Sequence, residues 1–115
     1  MLTPYIEEIN LEMAAWFEDQ GIEVINIAGF GYHSDIDMTE IPPQEIADAA
    51  GRVCDANADL LFISCTAIRA SMVIEQIEQA IAKPVVTSNQ ALVWHSLKLV
   101  GCKQAVAGFG SLFDR

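Results

Sequence analysis

Four apolar residues in succession, Leu60-Leu61-Phe62-Ile63, run straight into Ser64-Cys65-Thr66-Ala67-Ile68-Arg69, after which Ala70, Ile74, Ile77 and Ile81 recur at helical spacing. An unbroken apolar run suits a strand covered on both faces, as in a parallel sheet, and the later period suits a helix. The stretch predicts a buried strand that delivers Cys65 to the N-terminus of a helix over about 70–81. In open α/β sheets, ligands settle beyond the carboxyl ends of strands, and free N–H groups at a helix start favour anions. A helix dipole contributes only ~0.3–1 kcal/mol, against about 1.4 kcal/mol for one pKa unit, so it does not by itself make a strong nucleophile. The Thr66 hydroxyl and the amides of Thr66 and Ala67 would complete an anion nest. The competing reading is that Cys65 is a small core residue, since free cysteine is among the most buried types.

Earlier in the chain, Thr3-Pro4 reads as a helix N-cap followed by proline at the first helical position. Ile6, Ile9, Met13 and Phe17 then form an apolar stripe opposite Glu7, Glu8, Glu12, Glu18 and Asp19, and Gly21 ends the helix. Residues 22–28 have the β-branched, apolar character of a strand, broken by Gly29-Phe30-Gly31. That Gly-x-Gly lacks the third glycine of a dinucleotide fingerprint and reads as a turn. The polar stretch from Tyr32 to Ile41 holds His33, Asp35, Asp37 and Glu40. One histidine among carboxylates at odd spacings specifies no coordination geometry, so we read a solvated loop and no metal site. Pro42-Pro43 opens a helix with Ile46, Ala50, Val53 and Cys54 on one face, which makes Cys54 a core residue.

After the cysteine stretch, Lys83-Pro84 leads into Val85-Val86, and Thr87-Ser88-Asn89 supplies N-caps for a further helix. Turns at the carboxyl ends of neighbouring parallel strands converge, so these groups either face the same ligand as Cys65 or only cap the helix. From Gln90 to Val100 nearly every side is apolar, which implies that Val93, Trp94 and Leu97 lie against another lobe or subunit. His95 reads as an interface or core residue. Gly101 closes the helix, Cys102 lies near a turn, and Ala105-Val106-Ala107 reads as a last short strand before Gly108-Phe109-Gly110-Ser111.

Helices alternating with strands predict one α/β lobe over residues 1–115, an open parallel sheet with helices on both faces. Its first strand is truncated to Met1-Leu2, which would leave backbone groups unpaired in mid-sheet, so a fragment or a partner-supplied element is expected. Sixteen acidic against six basic residues give a formal net charge of −10, which argues against nucleic-acid or anionic-membrane binding. Three cysteines without paired spacing fit a reducing compartment, and no signal peptide or long apolar span appears, so a cytoplasmic protein is expected.

Three stretches carry a family resemblance: residues 3–10 (Thr-Pro-Tyr-Ile-Glu-Glu-Ile-Asn), residues 62–69 (Phe-Ile-Ser-Cys-Thr-Ala-Ile-Arg) and residues 84–95 (Pro-Val-Val-Thr-Ser-Asn-Gln-Ala-Leu-Val-Trp-His). Together they resemble the aspartate/glutamate/hydantoin racemase superfamily, closest to its maleate isomerase, arylmalonate decarboxylase and ectoine-utilisation branch. The resemblance implies a flavodoxin-like lobe, the second of two similar lobes of a cofactor-independent enzyme whose active site lies between them. It implies that Cys65 is the second-lobe catalytic cysteine, that Thr66 and Ala67 belong to the carboxylate-binding turn, and that the Tyr5 hydroxyl helps hold a substrate carboxylate. The first-lobe cysteine has no counterpart, and neither Cys54 nor Cys102 takes its role. Isomerase members carry an asparagine after the second strand, where Ser34-Asp35-Ile36-Asp37 has no amide. An aspartate there would repel a dicarboxylate and speaks against maleate itself.

The expected activity of the parent protein is therefore isomerisation or racemisation of a small carboxylic acid, with decarboxylation as the alternative and this chain alone nearly inactive. The expected partners are that acid and a first lobe or second subunit, as in a homo-oligomer. A phosphatase loop fails on spacing, because Arg69 follows Cys65 by four residues. A redox enzyme lacks a local resolving cysteine. The non-catalytic rival is a lobe that binds a small acid or only assembles with a partner.

Overall fold

Four short parallel strands carry the fold of the computed structural model, which describes residues 1–115. In chain order the elements are β1 (Leu2–Thr3), α1 (Glu7–Asp19), β2 (Ala28–Gly29), α2 (Asp35–Thr39), α3 (Pro43–Val53), β3 (Leu61–Ile63), α4 (Ile74–Ile81), β4 (Val85–Thr87) and α5 (Ser88–Leu99). A 3-10 turn, Ala70–Val73, leads into α4, and another, Ser111–Asp114, closes the chain. The sheet order is β2-β1-β3-β4, with Leu2 opposite both Ala28 and Ile63, and Ile63 opposite Thr87. The expected open parallel α/β sheet is what the chain forms. No helix is long and apolar enough to cross a membrane.

Right-handed crossovers put α1 on one face of this sheet and α3 with α4 on the other. The α3/α4 face holds most of the core: Ile46, Ala50 and Val53 of α3 and Ile74 and Ile77 of α4 are buried, as are Leu61, Ile63 and Val85 of the strands. The α1 face is thinner. Phe17 meets Phe62 edge-on at 5.5 Å, while Leu11 and Trp16 of α1 and Leu92, Val93 and Leu99 of α5 stay exposed. Trp94 and Leu97 are half-buried and border a cavity shared with Phe113.

Five expectations need correction, each for a local reason. Residues 22–28 do not form one strand: only Ala28–Gly29 pairs, because its partner β1 is just two residues long. Thr3 is not a helix cap. It belongs to β1, its hydroxyl accepts the Tyr5 N–H at 3.1 Å and bonds the Asn10 side chain, and α1 starts at Glu7. The stretch from Tyr32 to Ile41 is not all loop, because burying Met38 organises α2 within it. Nor does Cys65 abut a helix N-terminus: Ile68, Ala70 and Val73 turn into the core first, so α4 starts only at Ile74. Finally, Ala105-Val106-Ala107 forms no strand. The edge amides of β4 are already taken, Val85 N–H by Glu78 Oε1 at 2.9 Å and Thr87 N–H by Gln90 Oε1 at 2.8 Å. Glu78 also accepts the Ser111 N–H and hydroxyl, which fastens the C-terminal segment across that edge.

Candidate active site

Cys65 stands two residues past the end of β3 with φ at +93°, in the left-handed region that a residue with a side chain rarely occupies. Such backbone costs on the order of 1–3 kcal/mol and persists only where the surroundings hold it. Here the neighbouring strand-end turn does so. The Cys65 N–H donates to Ser88 Oγ at 3.1 Å, and Asn89 Nδ2 donates to the Thr66 carbonyl at 3.1 Å. Thr87 and Gln90 form a reciprocal capping box that fixes the start of α5, so Ser88 and Asn89 are themselves held. The two turns after β3 and β4 thus converge as parallel topology requires.

The strained turn brings the Ala67 N–H to 3.3 Å from Cys65 Sγ, a hydrogen bond that a thiolate accepts better than a thiol. Cys65 is 8% exposed, and Met38 Sδ packs 4.0 Å from its sulfur. The Tyr5 hydroxyl lies beside the Ser64 and Cys65 side chains. Burial raises its pKa, the Ser64 hydrogen bond opposes that, and contact with Cys65 and the nearby charge of Asp35 raise it further. Tyr5 therefore keeps its proton and stays a donor at neutral pH. Since this pKa exceeds its unfolded value near 10, the stabilisation is complete below that pH and is lost as pH rises through the folded pKa. Denaturant titrations from pH 8 to 11 should show a shallower alkaline loss of stability in Tyr5→Phe than in the parent chain.

Tyr5 is set by a tight backbone arrangement. Its carbonyl accepts the Gly31 N–H at 3.1 Å, and the Pro4 carbonyl accepts the Tyr32 N–H at 2.9 Å. A Cβ at Gly29 would collide with the Tyr5 carbonyl oxygen and with Asn10 Nδ2, so the first glycine of Gly29-Phe30-Gly31 allows this close approach.

Of the four site residues expected from sequence, Cys65, Ala67 and Tyr5 meet around one sulfur. Thr66 sits beside them with its side chain exposed, and its N–H has no partner within the chain. The Ala67 amide is aimed at the sulfur, so no two-amide nest forms. Sequence reading missed Met38 and Ser64. An isolated apolar residue in the polar stretch from Tyr32 to Ile41 was the available signal for Met38. The other candidates lie elsewhere: His33, His95 and Cys102 are exposed, Cys54 is half-buried at the end of α3, and no cluster of acidic, histidine and cysteine side chains could hold a metal ion. Arg69 reaches across to the Ile41 carbonyl at 3.3 Å.

Comparison with known proteins gives one consistent picture. A family model described as arylmalonate decarboxylase matches residues 1–113. The chain is 26% identical over 117 residues to arylmalonate decarboxylase of Bordetella bronchiseptica, covering 99% of this chain and 49% of that protein. It is 22% identical over 115 residues to maleate isomerase of Alcaligenes faecalis, covering 99% and 46%. It shares its fold with a Nocardia farcinica maleate cis-trans isomerase variant carrying a covalently bound succinylcysteine intermediate. There the TM-score is 0.92 at 20% identity, over 97% of this chain and 46% of that one. The chain spans about half the length of the curated relatives it matches.

Proposed function

Because the chain belongs to the arylmalonate decarboxylase family, we propose that it is the cysteine-bearing lobe of a cofactor-independent enzyme acting on a small carboxylic acid, with Cys65 as the catalytic group. The observation that carries this reading is the strained Cys65 turn, which holds its sulfur 3.3 Å from the Ala67 N–H. Strain of this kind concentrates at functional sites, whereas a packing cysteine has no need of it.

Decarboxylation of a malonate-type acid suits this arrangement, because it asks one thiol for one proton. The bond between the α-carbon and a carboxylate breaks, carbon dioxide leaves, and the electron pair passes into the remaining carboxylate as an enediolate. The Cys65 S–H then protonates the α-carbon, and water returns a proton to the sulfur. In this scheme the Ala67 N–H stabilises the thiolate left behind, while the Tyr5 hydroxyl and the free Thr66 N–H bind carboxylate oxygens. The alternative is addition of the sulfur to a double bond, rotation and elimination. The fold shared with an isomerase carrying a succinylcysteine supports it. The remaining side of the site is supplied by a first lobe or a second subunit, and the exposed Leu92, Val93 and Leu99 of α5 offer it an apolar surface.

A chimera joining this chain to the complementary half of the Bordetella bronchiseptica decarboxylase tests the proposal. With phenylmalonate in D2O it is expected to release carbon dioxide and place one deuterium on the α-carbon, read by NMR. Conversion of maleate to its trans isomer without gas release would select the addition chemistry. A folded chimera that does neither would remove the reading.

A further inference from the structure

The side-chain amide of Gln90, buried at the start of α5, holds two separate parts of the chain at once. Its Oε1 accepts the Thr87 N–H at 2.8 Å, and its Nε2 donates to the Phe109 carbonyl. A carbonyl only accepts and an N–H only donates, so these two partners fix which end of the amide faces which. Phe109 is itself held in place by the residues that follow it. Glu78 of α4 accepts the Ser111 N–H and hydroxyl, both at 2.9 Å. A Cβ on Gly110 would collide with Ile74 and stand 3.3 Å from Gln90 Nε2, so residues 109–111 rest directly on that amide.

A cap that served helix stability alone would need neither burial nor this second contact. Glu fills the third helical position of such a box as well as Gln does. At position 90, however, a carboxylate would face the Phe109 carbonyl, close to the Glu78 carboxylate that also borders Gly110. Ser88 lies between the two halves of the box, and its Oγ takes the Cys65 N–H at 3.1 Å, a donor that no backbone carbonyl accepts.

We propose that Gln90 is a positioning residue for Cys65: by tying residues 109–111 to the cap of α5 it fixes Ser88, and through Ser88 the left-handed backbone of Cys65. Three side chains and one backbone amide thus link the C-terminal segment to the strained turn without any direct bond between Gln90 and the cysteine. That Cys65 is the reacting group rests on the function proposed above; the hydrogen-bonded path does not.

The test follows amide hydrogen exchange by NMR in the 115-residue chain and its variants Gln90→Ala and Gln90→Glu. Both are expected to speed exchange of the Cys65 N–H roughly tenfold or more relative to the Leu61 and Ser64 N–H groups, which bond to the Pro84 and Leu2 carbonyls. A residue that only stabilised the fold would speed all three together. Equal acceleration at the three amides, or an unchanged Cys65 amide, would overturn the assignment. Protection retained in Gln90→Glu would overturn the part played by residues 109–111. Should Gln90→Ala fail to fold, Gly110→Ala displaces residues 109–111 while leaving the Gln90 side chain in place. Selective release of the Cys65 amide in that variant supports the path, and its absence overturns it. Exchange is read without turnover, so failure of the chimera and failure of this path are separate results.

Discussion

Cys65→Ala should lower the chimera's turnover by roughly 10²–10⁴-fold, the usual contribution of a positioned proton donor, while leaving the fold intact. The informative companion is Cys65→Gly. Both variants remove the sulfur, but at φ +93° glycine is unstrained and alanine is not, so Cys65→Gly should be as inactive as Cys65→Ala and more stable than it by about 1 kcal/mol in urea denaturation. Two inactive variants ordered this way would show that the chain holds a thiol where backbone energetics favour no side chain. Full turnover in either would remove Cys65 from the mechanism. Equal stability would remove the strain from the account of why the residue matters.

The second large effect is on stability. Ile63 is fully buried in β3, between β1 and β4 and under the α3/α4 layer, so Ile63→Ala removes packing that no neighbour can replace. Such truncations cost about 2–5 kcal/mol, against a total of roughly 5–15 kcal/mol for a domain. With only 22 of 115 residues buried, this lobe lies toward the lower end of that range. Ile63→Ala is therefore expected to lose most of its cooperative thermal transition, followed by circular dichroism. A melting temperature within about 2 °C of the parent would mean that the β3 face is not the principal core.

Much of this was legible in the chain because the apolar pattern and the layer structure agree. Leu61 and Ile63 fall on one face of a strand, Ile46, Ala50 and Val53 on one face of a helix, and each set found the other. Thr87 and Gln90 formed their cap because its partners are three residues apart and need no tertiary help. The errors came where distant groups decide a local outcome. Residues 22–28 look like a strand by composition, but pairing needs a neighbour and β1 provides only two residues. Thr3-Pro4 carries the local signature of a helix start, yet the Thr3 hydroxyl is drawn to Tyr5 and Asn10. In the site, the apolar run ending at Ser64 marked Cys65 as a strand-end residue, whereas Tyr5 came from resemblance alone. The positive φ, the Ser88 contact and the Met38 cover depend on how two turns and a short helix meet, and no spacing in the sequence encodes that.

The carboxylate of Glu78 and the amide of Gln90 have one more effect, on how molecules of this chain meet one another. An open sheet normally invites lateral growth, since its last strand presents a row of unused donors to any passing polypeptide. Here the β4 border has its Val85 and Thr87 donors occupied by side chains of α4 and α5, so an incoming strand finds no free N–H there to pair with.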